Sequence, residues 1–125
     1  MSNARDIADS GHQLKAWVNF NGEVDDSGGS LSAGEDNLII ASYNVTSVRF
    51  NGVGDYQVNF SSNAIEDDKY CAVLTCSRRS PDSAIYPTNI GLGRTRTASS
   101  LDFHLRNAFS TNTENSPDIN VAIFR

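Results

Sequence analysis

This sequence is short of the groups that chemistry needs. Its 125 residues include only two histidines and two cysteines. A nucleophile needs a base beside it and a metal needs converging ligands, so either must be built from very few side chains. No Gly-Lys-Ser/Thr phosphate loop occurs, no GxGxxG string follows a strand signal, and Gly91-Leu-Gly93 is too short to count. No apolar run approaches the ~18 residues a membrane-spanning helix requires. No charged-then-apolar secretory pattern opens the chain. Basic charge is scarce too: 10 Lys and Arg stand against 15 Asp and Glu, a net charge of −5. Duplex nucleic-acid binders show the opposite balance. The sequence therefore predicts neither a nucleic-acid partner nor membrane insertion, and no cofactor or metal.

The cysteines lie at positions 71 and 76. On a strand an odd separation puts them on opposite faces, roughly 16 Å apart, beyond the reach of a disulfide. Both are expected to be reduced, with at least one in the core. A chain without a disulfide fits folding in a cytoplasm.

A length of 125 residues is one domain, large enough to fold without a staple. Hydrophobic residues make up 38%, a low share, and Ser, Thr, Asn, Asp and Gly fill the rest. That mixture suits short strands joined by polar turns. Alternation is clear in several places. Ala16, Val18 and Phe20 share one face while Trp17 and Asn19 share the other. Tyr56, Val58 and Phe60 alternate with Gln57 and Asn59. Leu101, Phe103 and Leu105 alternate with Asp102, His104 and Arg106, which are expected to face solvent. Ile119, Val121 and Ile123 close the chain. Residues 38–50 read as strand with a bend near Ser42 to Asn44, and 51–55 as a glycine-bearing hairpin turn into the strand at 55–61. A further strand runs from Tyr70 to Ser77. Residues 23–37 read as a long acidic, glycine-rich loop, and 78–96 as a second excursion holding at most one short strand. The prediction is an all-β fold, a small antiparallel β-sandwich, jelly-roll or Greek-key-like, of six to eight strands. Residues 1–13 form an N-terminal arm or connector with Ile7 as its anchor, and 14–125 form the sandwich domain.

Three segments carry a resemblance: Lys15-Ala-Trp-Val-Asn-Phe-Asn-Gly22, the run from Ile40 to Phe60 ending in Gly-Asp-Tyr-Gln-Val-Asn-Phe, and Tyr70-Cys-Ala-Val with the terminal Ile119 to Arg125. Together with the leader at 5–10 they resemble the C-terminal module of tailed-phage tail-fibre and appendage proteins. The resemblance spans most of the chain in matching order. It departs from the family in the length of the 23–37 loop and in having Met1 and no shaft, which leaves open a fragment or a short protein using the module alone. It implies a virion structural protein, usually a homotrimer, made in the host cytoplasm and exposed on the particle. Partners implied are copies of itself, other virion proteins, and a host-surface glycan or protein. It carries no catalytic residues to transfer. A capsid decoration or cement protein and a glycan-binding lectin-like module are the alternative readings of the same sandwich.

Candidate residues follow from side-chain type. His104 between Asp102 and Arg106 has no Ser or Cys assignable to it, so an enzyme is not expected. Asp25, Asp26, Glu35 and Asp36 flank one loop but match no calcium-binding spacing. Arg78, Arg79, Arg94 and Arg96 bracket the 78–96 excursion with Tyr86 inside it, residue types suited to binding a sugar, phosphate or protein. Trp17, opposite the core face of its strand, and Ile7 in the leader are the predicted contacts between subunits. Tyr43, Val45, Ile40, Val73 and Phe124 add to an apolar surplus that one sandwich interior cannot hold, and such a surplus marks an interface.

Overall fold

The computed structural model describes residues 13–77, 96–107 and 112–125, together with the backbone of 85–88. Eight strands are described: β1 (Leu14–Asp25), β2 (Asn37–Tyr43), β3 (Val45–Gly52), β4 (Asp55–Phe60), β5 (Cys71–Cys76), β6 (Ile85–Thr88), β7 (Ser100–Asn107) and β8 (Ile119–Phe124). They form two four-stranded sheets, ordered β2-β1-β8-β5 and β3-β4-β7-β6. Every strand pair is antiparallel. The fold is thus the all-β sandwich that the alternation predicts. Of the N-terminal arm, residues 1–12 with Ile7 lie outside the described residues, and Gln13 pairs with Arg125 through two backbone hydrogen bonds of 3.2 and 3.0 Å.

The two-residue period decides which side chains enter the interior. Ala16, Val18 and Phe20 from β1 and Ile119, Val121 and Ile123 from β8 point inward from the first sheet. Val48, Tyr56, Val58, Leu101, Phe103 and Leu105 meet them from the second. At the centre the Phe20 ring lies edge-on to Tyr56, with centroids 5.3 Å apart, and Tyr56 lies 5.6 Å from Phe103. Tyr56 is fully buried, so its hydroxyl must find partners. It donates to the Gly22 carbonyl at 2.9 Å and lies 2.9 Å from Asn115 Oδ1. Burial drives its ionisation well above the usual phenol range.

Asn44 is the corner between the sheets. Its φ is 57°, a conformation asparagine tolerates, and its Nδ2 donates to the Lys15 carbonyl at 2.8 Å. This is the bend expected near Ser42 to Asn44.

Two expectations are corrected. Residues 23–37 are not a free loop. Glu23 to Asp25 extend β1 and Asn37 opens β2. Asp25 turns the tip: its Oδ1 accepts from Ser27 N, Ser27 Oγ and Gly29 N. Backbone bonds from Gly34 to Phe50 and from Phe50 to Glu35 then tie the tip to β3. Acids and glycines that read as loop composition are here the caps and turns of a folded extension. The second correction is His104, which is 5% exposed rather than solvated. Its strand is central, between β4 and β6, and Arg106 folds back so that its Nε donates to His104 Nε2 at 3.1 Å.

The C-terminus is held by a two-bonded ion pair. Arg125 Nε and Nη2 donate to Asp67 Oδ1 and Oδ2 at 3.0 and 2.9 Å. The hydrogen bond from Arg125, then that from Lys69 N, pulls the Asp67 carboxyl from 3.8 to about 2. A carboxyl lowered by folding stabilises fully above its unfolded value and loses that contribution as pH falls through its folded one. We therefore expect wild type to lose part of its thermal stability between about pH 4 and pH 2 through this group. Asp67→Asn should flatten the curve of Tm against pH in that window, and parallel curves for the two proteins would show that the pair contributes nothing.

Candidate functional site

The sheet β2-β1-β8-β5 has a second face, and its composition is unusual. Pairing places its outward side chains in rows across the strands. Trp17 stands between Tyr43 on β2 and Ala122 on β8, and Val73 on β5 lies beyond Ala122. Phe124 stands between Leu14 on β1 and Cys71 on β5. These two rows are apolar. A third row, Ala41, Asn19, Asn120 and Thr75, is mostly polar. Asn19 Nδ2 donates there to Asn120 Oδ1 at 2.9 Å and to Asp118 Oδ1 at 2.6 Å. None of the side chains in the three rows carries a charge.

Most of this face is open to solvent. Tyr43 is 51% exposed, Val73 48%, Leu14 44% and Phe124 41%. Cys71 is exposed and Trp17 half-buried. Ile40, at 61%, sits where the β1–β2 register shifts. Such side chains are ordinarily scattered singly over a surface; here they are contiguous. At the end of the face a cleft of about 300 Å³ opens between Lys69, Cys71, Phe124 and Arg125.

The predicted site residues distribute unevenly. Trp17 is at the middle of the apolar face. Of the surplus set, Tyr43, Ile40, Val73 and Phe124 are exposed as expected, whereas Val45 packs against the core. Leu14, Cys71 and Ala122 join the face without having been predicted to. Cys71 and Cys76 fall on opposite faces as their spacing predicts, with Cys76 half-buried against the core and its thiol pushed up by burial.

Of the arginine set, Arg78, Arg79 and Arg94 lie outside the described residues. Tyr86 is placed by its backbone, on β6 opposite Arg106. Arg96 is engaged within the fold. Its guanidinium lies over the Tyr70 ring, 4.8 Å from the centroid, and Nη1 donates to the Tyr70 carbonyl at 3.0 Å. The Tyr70 hydroxyl donates to Ser100 O at 3.1 Å, and burial raises its ionisation to about 12. This arrangement braces the segment before β5 against the one before β7.

The remaining polar groups show little reactive geometry. His104 Nε2 accepts from Arg106 Nε and is engaged within the fold. In the acidic tip Asp25 is spent on its own turn, and these hydrogen bonds lower its ionisation. Glu35 Oε2 accepts from Ser32 N at 2.8 Å. Among the described residues no three His, Cys, Asp or Glu side chains converge as a metal site would require. No described helix is long and apolar enough to cross a membrane. Comparison with protein-family models, curated proteins and solved structures gives no match for this chain.

Proposed function

We propose that this chain is a non-catalytic virion structural protein: a fibre or appendage domain of a tailed phage that assembles as a homotrimer and mediates attachment to the host surface or to other virion proteins. One observation carries the assembly part of this reading, the contiguous, uncharged apolar face on one side of a folded sandwich. Exposed apolar area of that kind costs free energy in water and is recovered when a protein surface covers it. The virion part rests on the residue strings that resemble the fibre module; they fall on β1, on β2 to β4, and on the paired strands β5 and β8. A rigid antiparallel scaffold with polar turns suits exposed duty on a particle, where binding resides in loops held by the sheets.

The test is to locate the protein. Antibody labelling of purified particles, followed by cryo-electron microscopy, is expected to place it on a fibre or tail appendage. Its absence from intact particles would overturn the virion reading, and density distributed over the capsid lattice would replace the fibre role with a decoration role.

A further inference from the structure

We infer that copies of this chain meet through the outward face of the β2-β1-β8-β5 sheet, with Trp17, Tyr43, Val73 and Phe124 at the seam. This rests on the assembly reading above and adds to it the surface and the occupant.

Three observations favour a second copy over other occupants. The first is contiguity. Tyr43, Val73, Leu14, Phe124 and Ile40 are each between 41% and 61% exposed and adjoin one another, a contiguous apolar surface of the kind that marks an interaction site. The second is charge. Each copy carries −5, so like-charged copies repel wherever charged groups meet. The rows of this face contain no acid and no base, which removes that penalty at the contact. The charged groups nearby, Asp118 beside Asn19 and Lys69 and Arg125 at the cleft, lie at the edge of the rows, so a strongly charged partner would find no complement within them. The third is self-complementarity. Asn19 spends its amide nitrogen on Asp118, Ile119 O and Asn120, so it offers another copy its carbonyl oxygen, while the Asn120 amide nitrogen is not used by the Asn19 bond and offers a donor. One polar row beside two apolar rows can therefore offer both an acceptor and a donor to the copies that meet it around a shared axis.

The chain's own leader is a poor alternative occupant. Residues 1–12 supply Met1 and Ile7 as large apolar side chains, alongside Arg5, Asp6 and Asp9. Two apolar groups cannot cover two apolar rows.

The experiment compares Val73→Glu with Val53→Glu in the full chain by light scattering, each checked for folding by thermal melting. Val53 is 56% exposed at the β3–β4 turn of the other sheet, so it reports a similar charge change away from the face. Val73→Glu is expected to weaken self-association roughly 100-fold, because an unpaired carboxylate would be desolvated at the seam; Val53→Glu should assemble as wild type. An assembled Val73→Glu protein would overturn the inference and leave the assembly reading standing. A monomeric wild type would overturn that reading itself. A wild-type dimer that Val73→Glu dissociates would keep the face and discard the three-fold assembly. Thiol labelling of wild type gives a second measurement that needs no substitution. Cys71 should react more slowly at concentrations where the protein assembles than on dilution, and equal rates at both would also overturn the inference.

Discussion

Phe20→Ala is expected to remove about 3–5 kcal/mol of folding stability, read as a fall in the midpoint of denaturant unfolding. The ring is fully buried and lies edge-on to both Tyr56 and Phe103, the latter with centroids 6.4 Å apart. It is the place where the first sheet enters the aromatic centre of the second. Truncation removes its transfer free energy and opens a cavity between two hydrogen-bonded sheets that cannot collapse freely. Against an ordinary domain stability of about 5–15 kcal/mol, such a loss removes a large share of the total. Trp17, three positions earlier on the same strand, supplies the contrast. It points the other way, and Trp17→Ala should cost the isolated fold less than about 1.5 kcal/mol while weakening assembly. Equal losses from the two substitutions would contradict the assignment of inner and outer faces.

Gly54→Ala is the second large effect, about 3 kcal/mol or more, measured the same way. Gly54 has φ 67°, which glycine adopts freely and alanine resists. Space is the larger obstacle. A Cβ there would stand 2.7 Å from Glu114 O, 2.8 Å from Glu114 N and 2.9 Å from Leu105 O. All three are backbone atoms. Their residues are hydrogen-bonded in place: Leu105 N donates to the Gly54 carbonyl at 2.7 Å, and Glu114 N donates to Leu105 O at 3.2 Å. Gly54 N meanwhile donates to Asn115 Oδ1 at 2.6 Å. The β3–β4 turn, β7 and the segment before β8 thus meet at one point that has no room for a methyl group. A loss under about 1 kcal/mol would mean the contact relaxes far more easily than this geometry allows.

Much of the fold was legible because burial on a strand has a period of two. Phe20, Tyr56, Val58, Leu101, Phe103 and Ile123 are inward in sequence pattern and buried in the structure. The glycines at 52 and 54 marked the hairpin, and Asn44 the corner, through backbone preferences that are local. What was not legible depends on pairing between distant residues. β1 and β8 lie side by side although about a hundred positions separate them, and only that pairing brings Trp17 and Ala122 together. The individual outward residues could be read, but their merger into one face with Leu14 and Cys71 could not. The loop reading of 23–37 holds for 26–36 but misses the strand ends at 23–25 and 37 and the order of the tip, because acids and glycines signal a loop equally well whether they cap ordered turns or float free; Asp25 caps. His104 has the outward parity the alternation assigns, yet Arg106 returns over it, a side-chain contact that no periodicity encodes.

The central claim is that this domain is built to assemble. Sedimentation equilibrium of the wild-type chain at micromolar concentration tests it most directly. The expected result is a single species of three times the 13.6 kDa chain mass, and a sharp monomer mass of 13.6 kDa under the same conditions would contradict it.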